Sequence, residues 1–275
     1  MEDISLFMCG NRGVLDGILL AMLSYTKYNK AKTTLYIGTM DLSCRNQNYK
    51  PITEEDRLLI LSVLRSGSPL SDVILLDLTE DYLKHLDGGK NDNSRYTPYA
   101  TLRLLADLLP LPSRILYLDC DIMFSGEVYG LWNTDLRGRD IGAVHDYFGR
   151  WFISPFYINS GVMLWDMERL IKRNVFGKCR RIVKEKKMLL PDQTAINRTA
   201  KIHYLPSKFN EQHKKRADTV IQHFSMAIQL IPPKTVTVKP WQPELMHDVL
   251  GLYDYDDIIE AWQKLKADYE MKEKL

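Results

Sequence analysis

The sequence is poor in cysteine, and the four cysteines that it has are not arranged in pairs. Cys9, Cys44, Cys120 and Cys179 lie far apart, and no C-x-x-C motif is present. A zinc knuckle needs closely spaced thiols, and a disulfide framework needs a higher density of cysteines. The pattern argues against both, so we expect reduced thiols and a cytoplasmic protein.

An excess of one charge and a long apolar run are also missing. The chain has 37 Lys and Arg against 35 Asp and Glu, a formal net charge of +2, which gives no general reason to expect a nucleic-acid partner. The N-terminal MEDISLFMCG carries acids where a secretion signal carries bases, and Asp16 interrupts the next apolar stretch well short of a membrane span. We therefore expect no classical export signal.

The chain does contain alternating strand and helix patterns in its first half. Its 275 residues are enough for a single domain or two tightly fused halves. Three segments read as strands: ISLFMC, KTTLYIGTM and SDVILLDL. Three others read as helices: VLDGILLAMLSYTKY, TEEDRLLILSVLRSG and YATLRLLADLLP. The second of these helices has a candidate N-cap at Thr53 and a stop at Gly67, and the third ends at Pro110. Nearly continuous apolar runs suit parallel strands covered on both faces. The pattern predicts an open α/β sheet.

The alternation of strand and helix patterns becomes less regular after residue 124. DIGAVHDY and YINSGVMLWDM read as strands, whereas MERLIKRNVFGKCRRIVKEKKM and PDQTAINRTA read as helices. A loop-rich segment follows at 208–244, and DDIIEAWQKLKADYEMKEKL reads as a charged terminal helix. In that helix the apolar residues at helical spacing favour packing on the core over a membrane anchor, because acids outnumber lysines.

The stretch ILYLDCDIMF, residues 115–124, reads as a central strand that carries two aspartates. Strand alternation would place Asp119 and Asp121 on one side and Cys120 on the other. Carboxylates so close repel each other unless a cation lies between them. Parallel sheets bind ligands beyond the carboxyl ends of their strands, so a divalent metal bridging to a phosphate fits this position. An acidic surface turn remains the alternative.

Aspartate-nucleophile phosphatases that resemble the haloacid dehalogenase family also carry D-x-D after a strand. Those enzymes usually have the pair near the N-terminus, with Thr or Val four positions after the first aspartate. Here the pair lies in the middle of the chain and that position is Met123. The pattern disfavours this class.

Several further segments resemble glycosyltransferase family 8, the retaining GT-A enzymes that include bacterial lipopolysaccharide galactosyltransferases and glycogenin. The segments are RLLADLLPLPSRILYLDCDIMF, LWNTDL, YINSGVMLWDM, LLPDQTAIN, and IQHFS with a later KPW, in the family's order over most of residues 95–241. The resemblance implies a GT-A fold: an open, mostly parallel, twisted sheet of Rossmann-like type with flanking helices and a smaller mixed acceptor-side region. It also implies one domain over 1–250, with a nucleotide-binding half at 1–124 and an acceptor and metal-completing half at 125–250, before a C-terminal helix at 251–275.

The resemblance implies a metal site of Asp119, Asp121 and His223. Mn²⁺, or Mg²⁺ in its place, is the expected cofactor, and manganese accepts oxygen ligands together with an imidazole. Taken alone, a histidine beside Phe224 is more often a packed or surface residue. Its place in the series of motifs favours the ligand.

The resemblance also implies donor-binding and catalytic residues. Asn159 matches a sugar-contacting asparagine, and Lys239 matches a lysine that reaches the phosphates, where a cation stabilises the leaving group. Asp146 falls where related enzymes contact the acceptor. The candidate catalytic residues are Gln193, Asp192 and Arg103. The candidate donor-binding residues are Cys9, Gly10, Asn11, Arg103, Asp119, Cys120, Asp121, Asn159, Asp192, Gln193 and Lys239.

Two departures from the family pattern bear on the donor. The first turn, CGNRGVLDG, has Asn11 and Val14 where the family has an acid and an aromatic that stacks on uracil. Backbone amides and Asn11 could bind the base, since Gly10 and Gly13 permit close approach. The segment HFSMAIQLIPPKTVTVKPW is longer than its family counterpart and lacks the glycine, so Lys239 must reach the phosphates by another path.

The implied function is transfer of glucose or galactose from a UDP-sugar to a glycan or glycolipid acceptor, with retention, in bacterial lipopolysaccharide or surface polysaccharide synthesis. We expect a cytoplasmic enzyme that can associate with the inner face of the membrane and does not bind nucleic acid; its oligomeric state is left open. An inactive nucleotide-sugar-binding protein is one alternative. A sugar nucleotidyltransferase is another, but it usually needs a Gly-rich basic loop after the first strand, where CGNRG offers only Arg12.

Overall fold

The computed structural model describes residues 3–91, 98–225, 227–230 and 233–273. Eleven strands lie in these ranges. They are β1 Ile4–Cys9, β2 Thr33–Thr39, β3 Asp72–Asp77, β4 Arg114–Leu118, β5 Ile122–Phe124, β6 Ile141–His145, β7 Ile158–Asp166, β8 Ile202–Tyr204, β9 Ile221–His223, β10 Ala227–Leu230 and β11 Pro233–Val236.

Ten α-helices accompany the strands in the described ranges. They are α1 Leu15–Tyr28, α2 Glu54–Gly67, α3 Thr79–His85, α4 Tyr129–Trp132, α5 Gly149–Phe152, α6 Met167–Lys172, α7 Val175–Glu185, α8 Pro191–Thr199, α9 Pro243–Leu250 and α10 Asp256–Glu273. Three 3₁₀ helices complete the set, at Arg12–Val14, Pro98–Leu108 and Ser207–Phe209.

Seven of the strands form one open sheet in the order β3-β2-β1-β4-β7-β6-β8. β1 to β4 run parallel in this sheet, β7 runs antiparallel to both β4 and β6, and β8 runs parallel to β6. Two small antiparallel sheets, β5-β9 and β10-β11, stand apart from it. The prediction of an open, mostly parallel sheet with flanking helices is confirmed.

Both faces of the sheet are buried, which explains the continuous apolar runs. Along β1, Ile4, Leu6 and Met8 join one hydrophobic core with residues of α1, α2 and α10, while Phe7 joins a second core with residues of the 3₁₀ helix Pro98–Leu108, α7 and α8. Since successive side chains of a strand point to opposite faces, a strand covered on both sides is mostly apolar along its whole length.

The start of α2 follows the predicted N-cap. The Asp56 amide donates to Thr53 Oγ1 at 3.2 Å, and the Thr53 amide donates to Asp56 Oδ2 at 2.9 Å. This capping box satisfies two amides that a helix N-terminus otherwise leaves without partners. α2 ends at Gly67, as predicted.

The prediction that residues 115–124 form one central strand is wrong. β4 ends at Leu118, the D-C-D segment bends, and β5 leaves the large sheet to pair with β9. A continued strand would carry both carboxylates into a sheet that is buried on its two faces, where an unpaired charge is costly. The bend therefore keeps both aspartates at the edge of the sheet.

Other predicted elements differ in detail. The stretch read as one helix from Met167 onward is two helices, α6 and α7, separated at Asn174, whose φ of 51° lies in the left-handed region. The helix predicted before Pro110 is a 3₁₀ helix. α3, α9 and the short strands β8, β9, β10 and β11 were not predicted, because segments so short carry little periodic signal.

The C-terminal helix packs on the core, as predicted. Ile258, Ile259 and Trp262 are buried against the same hydrophobic core as α1, and Leu265 is partly buried there. Trp262 Nε1 donates to Asp16 Oδ1 at 3.0 Å. Within the described residues, none of the helices combines the length and apolarity that crossing a bilayer requires.

Candidate active site

The D-C-D segment lies at the carboxyl end of β4, beside the carboxyl end of β1. The two strands are parallel neighbours with Phe7 opposite Tyr117, and the Cys120 thiol donates to the Cys9 carbonyl oxygen at 3.4 Å. In the sheet, β2 is the neighbour of β1 on one side and β4 is its neighbour on the other, so the strand order reverses between β1 and β4. This edge is therefore the switch point at which open α/β sheets bind ligands.

His223 reaches the aspartates because β5 and β9 pair. Their register sets Ile122 opposite His223, and the Phe224 amide donates to the Asp121 carbonyl oxygen at 2.8 Å. His223 Nε2 then lies 3.3 Å from Asp121 Oδ1 and 3.9 Å from Asp119 Oδ2. Residues about a hundred positions apart in the chain are thus joined by one short sheet.

Asp119, Asp121 and His223 fit a divalent cation. One ligand atom of each residue lies within 4.8 Å of the others. Metal–oxygen bonds of about 2.1 Å at octahedral angles need donor atoms roughly 3 to 4 Å apart, and two carboxylates with an imidazole suit Mn²⁺. The structure brings the three predicted ligands together; that they bind a cation, and which one, stays a prediction.

Gly161, the glycine of YINSGV, makes room for the histidine ring. A Cβ atom at Gly161 would lie 2.2 Å from His223 Cε1 and 2.7 Å from Nδ1, which is closer than real side chains approach. The Gly161 carbonyl oxygen also accepts the Asp119 amide at 2.7 Å. One residue of β7 therefore contacts both parts of the candidate metal site.

Two buried asparagines orient the His223 ring. Asn159 Oδ1 accepts the Gly161 amide at 2.9 Å and Asn210 Nδ2 at 3.0 Å, so Asn210 turns its Oδ1 toward His223 Nδ1, also at 3.0 Å. An acceptor at Nδ1 places the ring proton there. Nε2 is then the ring nitrogen that faces the aspartates, 3.3 Å from Asp121 Oδ1, and it is the atom that would bind a cation.

Arg103 connects the two acidic groups of the site. Its Nη2 lies 2.8 Å from Asp119 Oδ1, its Nε lies 3.3 Å from Asp192 Oδ2, and its Nη1 donates to the Ser160 carbonyl oxygen at 2.7 Å. Burial alone would lower the pKa of Arg103, but the neighbouring acids and Tyr117 raise it. Burial raises the pKa of Asp192, and Arg103 opposes this effect. Arg103 thus holds Asp119, Asp192 and the Ser160 backbone together, and its contact with a donor stays a prediction.

Lys239 lies beside the candidate metal site, although the segment that carries it is longer than its family counterpart. Its Nζ forms an ion pair with Asp121 and donates to the Phe224 carbonyl oxygen at 3.1 Å. Burial alone would raise the pKa of Asp121, but Lys239 and His223 hold it well below its usual value. Asp121 is therefore a carboxylate at neutral pH. The longer segment still delivers the lysine to the site.

The candidate sugar-binding amides are held by Asp146. Its Oδ2 accepts Asn159 Nδ2 at 3.0 Å and Gln193 Nε2 at 3.1 Å, while Gln193 Oε1 accepts the Ser160 amide at 3.1 Å. Because a backbone amide can only donate, the orientation of the Gln193 side chain is determined. Asp146 thus positions two other predicted residues, and its contact with an acceptor stays a prediction.

Two cavities meet at this group of residues. The smaller has a volume of about 260 Å³ and the larger about 580 Å³, and Asp119, Asp121 and Lys239 line both. The smaller cavity is also lined by Cys9, Gly10, Asn11, Tyr99, Arg103, Cys120 and Trp241. The larger is also lined by Asp146, Asn159, Leu189, Gln193 and His223. Of the predicted site residues, Asp192 alone lines neither cavity; it lies behind Arg103.

Aromatic side chains that the first turn lacks come from elsewhere in the chain. Tyr99 and Trp241 line the smaller cavity together with Asn11. The Tyr99 hydroxyl donates to the Met40 carbonyl oxygen at 2.8 Å, and Asn11 Nδ2 donates to the Asn48 carbonyl oxygen at 2.9 Å. The cavity therefore offers flat apolar surface beside a fixed amide.

The two cysteines of the smaller cavity are neutral thiols. Burial raises the pKa of Cys9 and that of Cys120, and nearby Asp119 raises both further. All four cysteines of the chain are free, as predicted. Neither thiol suits a metal, since only thiolates bind metals well; the contact of Cys9 and Cys120 with a donor stays a prediction.

Sequence reasoning missed Asn210, Ser160 and Tyr99. Ser160 lies inside a quoted motif, but its role depends on contacts with Arg103 and Gln193 that a motif does not reveal. Asn210 lies in the loop-rich segment, 51 positions from its partner Asn159. Neither local periodicity nor spacing could have paired them.

The architecture and site together define the GT-A glycosyltransferase class. The galactosyltransferase LgtC, crystallised with donor and acceptor sugar analogues, matches this structure with a TM-score of 0.62 at 15% identity, over 96% of each chain. At that identity the likeness establishes the fold. The fold prediction is therefore confirmed.

A family profile for glycosyl transferase family 8 matches residues 5–244, and the chain belongs to this family. The probable galacturonosyltransferase-like 6 of Arabidopsis thaliana is 30% identical over 139 residues, which are 43% of this chain and 40% of that protein. The general stress protein A of Bacillus subtilis is 28% identical over 197 residues, which are 66% of this chain and 63% of that protein. The chain thus spans between 40% and 63% of these two relatives' lengths.

Proposed function

We propose that the protein is a metal-dependent, retaining hexosyltransferase that moves glucose or galactose from a UDP-sugar to a hydroxyl of a glycan or glycolipid acceptor. One observation carries this proposal: Asp119, Asp121 and Lys239 line two cavities at once. A nucleotide sugar needs a site for its nucleoside, a cation for its diphosphate and a pocket for its sugar, in that order along the molecule.

The smaller cavity suits the nucleoside and the shared wall suits the diphosphate. Tyr99 and Trp241 provide apolar surface for a base, and Gly10 allows close approach of the backbone. When bound by Asp119, Asp121 and His223, a divalent cation would offset the negative charge of the diphosphate. The Lys239 ammonium lies against Asp121, where it can neutralise a phosphate oxygen as the leaving group gains charge.

The larger cavity suits a neutral sugar. Asn159 and Gln193 present oriented amides, and Asp146 holds both. Among the described residues, Lys239 is the one lysine or arginine that lines this cavity, and it lies at the diphosphate side. A uronic acid would need a cation for its carboxylate deeper in the pocket, so glucose or galactose is favoured.

Attack by the acceptor on the same face as the departing diphosphate is the proposed route to retention. Gln193 is an amide with little nucleophilicity. Asp192 is held by Arg103 and does not line the larger cavity, so neither residue suits a double displacement. The acceptor oxygen bonds to the anomeric carbon, the bond to the diphosphate breaks, and a phosphate oxygen takes the hydroxyl proton.

We place the reaction in the cytoplasm, in bacterial lipopolysaccharide or surface polysaccharide synthesis. Four free cysteines support a reducing compartment, and the family motifs support the pathway. We also propose that residues 1–124 form the nucleotide-binding half and 125–250 the acceptor half. Of the residues that line the smaller cavity, all but Lys239 and Trp241 precede residue 124.

The test is nucleotide release from a panel of nucleotide sugars with Mn²⁺, with and without glycan acceptors. We expect UDP release from UDP-glucose or UDP-galactose that EDTA abolishes. Asp121→Asn should lower the rate by more than about 100-fold, because losing even an outer-shell partner of a metal costs 10–100-fold. Asp248→Asn, an exposed acid on α9, is the matched control and should keep the wild-type rate.

Each alternative has its own outcome in this assay. Tight UDP-sugar binding without any release would support an inactive binding protein. Release of pyrophosphate from a nucleoside triphosphate and a sugar phosphate would support a nucleotidyltransferase. Undiminished transfer by the Asp121→Asn protein would remove the metal assignment.

A further inference from the structure

Five large apolar side chains are exposed at the mouth of the larger cavity. Trp151 is 74% exposed, Phe152 79%, Ile153 54%, Phe156 70% and Leu189 70%. We call these five residues the apolar patch. Exposed apolar residues on monomeric proteins are normally scattered singly, whereas a contiguous group marks an interaction site. Four of these five fall within six consecutive positions.

The backbone of this segment is held in place, so the exposure is not the result of a frayed end. The Gly149 amide donates to Asp146 Oδ1 at 2.6 Å. At the other end, the Asp146 amide donates to the Tyr157 carbonyl oxygen and the Tyr157 amide to the Ser154 carbonyl oxygen, both at 2.9 Å. The segment is closed on itself beside a residue of the site, with its apolar side chains facing solvent.

The patch is continuous with the candidate active site. Phe152, Ile153 and Leu189 line the same cavity as Asn159 and Gln193. Whatever covers the patch therefore lies where an acceptor would enter. The partner of the patch must carry the acceptor or be part of it.

Basic side chains border the patch. Arg150 Cζ lies 5.3 Å from the centre of the Trp151 ring. Arg150 also lines a neighbouring cavity with Lys214, and Arg198 lines a depression with Ile153 and Phe156. Aromatic residues next to Arg and Lys are the composition that binds the interface of anionic membranes, since rings enter the headgroup region and cations meet lipid phosphates.

We propose that the apolar patch docks on an anionic lipid surface and so brings the larger cavity to an acceptor displayed on that surface. This inference rests on the proposed function and specifies its acceptor as lipid-linked. A stable protein partner would need roughly 20–30 residues a side, far more than this patch offers. Stacking on a soluble glycan would not use Phe156, which lies outside the larger cavity, or the aliphatic Ile153.

Sedimentation with extruded vesicles tests the proposal without any acceptor. We expect the wild-type chain to bind phosphatidylcholine vesicles that contain a quarter phosphatidylglycerol more strongly than pure phosphatidylcholine. The double variant W151S/F156S, whose two residues line neither cavity of the site, should reduce the bound fraction at least about fivefold. L70S is the matched control, because Leu70 is 75% exposed elsewhere on the chain, and it should bind as the wild type does.

Tryptophan fluorescence adds a second measurement. Trp151 is exposed, whereas Trp132, Trp165 and Trp262 are buried and Trp241 is half-buried. Vesicles should shift the emission to the blue, and W151F should lose this shift while it still sediments with vesicles.

Three results would overturn the proposal: no vesicle binding by the wild type, equal binding by W151S/F156S, or conversion of a wild-type dimer to a monomer by that variant, which would assign the patch to self-association. UDP release without acceptor is measured on the same proteins. If that release persists while vesicle binding fails, the docking proposal falls and the transferase proposal stands.

Discussion

At the scale of single residues, the geometry of the site depends on buried polar side chains. These side chains orient one another through hydrogen bonds. Hydrogen bonds run from His223 through Asn210, Asn159 and Asp146 to Gln193, each between 3.0 and 3.1 Å. In a low dielectric such a network is rigid when every member is satisfied. It links the histidine of the candidate metal site to the Gln193 amide that lines the larger cavity.

Asn210→Ala should weaken metal binding. The substitution removes the acceptor at His223 Nδ1, so the ring proton and the ring plane are no longer determined. We expect the Kd for Mn²⁺ to rise about 10–100-fold, the usual effect of losing such a partner, as measured by calorimetry in the absence of nucleotide. Asn91→Ala, at a buried asparagine that bonds to the Lys186 carbonyl oxygen, is the control. It should lower stability and leave the Kd unchanged; an unchanged Kd in Asn210→Ala would contradict the prediction.

Gln193→Ala should lower kcat far more than affinity for UDP. Gln193 lines the larger cavity only, whereas Asn11 lines the smaller one. Asn11→Ala is therefore the matched variant and should raise the Kd for UDP with a smaller effect on kcat. Single-turnover rates and UDP titrations separate the two terms. Equal losses of rate and affinity in Gln193→Ala would indicate ground-state binding instead.

Four strands determine the site at the scale of elements. β4 stops at Leu118 so that the aspartates remain at the sheet edge, and β5 pairs with β9 so that His223 meets them. β7 passes behind the ring with Gly161, which is the one residue type that leaves space there. The candidate metal site is thus assembled by three separate stretches of backbone.

Gly161→Ala should displace the His223 ring while the sheet persists. The new Cβ would lie 2.2 Å from His223 Cε1, so the ring must move. We expect loss of Mn²⁺ binding together with a cooperative thermal transition, followed by circular dichroism. Gly126→Ala is the control, because a Cβ there would make only ordinary contact with Val220 at 3.7 Å. Wild-type metal affinity in Gly161→Ala would show that the ring has room after all.

At the scale of the whole molecule, the last described helix packs against the first helix. α10 covers α1, where Trp262 Nε1 and Lys266 Nζ donate to the two oxygens of Asp16 at 3.0 and 2.9 Å. Asp16, which interrupts the first apolar stretch in the sequence, is therefore a docking point for the last helix. The C-terminal helix is part of the same hydrophobic core as β1.

Trp262→Ala should lower the free energy of unfolding by about 3–5 kcal/mol, because it removes a large buried ring and leaves a cavity. Urea unfolding followed by circular dichroism measures the change. Glu260→Ala, at an exposed position of the same helix, should change stability by less than about 0.5 kcal/mol. A loss below about 1 kcal/mol in Trp262→Ala would mean that α10 contributes little to the core.

The sequence by itself determined much of the sheet and the family, and it named candidate site residues that the structure brings together. Apolar runs buried on both faces are local patterns, so β1 to β4, α1 and α2 could be predicted. Asp119, Asp121 and His223 could be named as candidate ligands because the motifs that contain them resemble those of the family and keep the same order in the chain.

Tertiary structure alone decided how those motifs meet. Three features have no signal in the local sequence: the bend after Leu118, the pairing of β5 with β9, and the hydrogen bond between Asn210 and His223. Each depends on residues that lie far apart in the chain. Only the assembled fold shows that Asp146 holds Gln193 and that exposed aromatic residues border the cavity. The physical reason is that periodicity reports which face of an element is buried, while the contacts between elements depend on the packing of the whole chain.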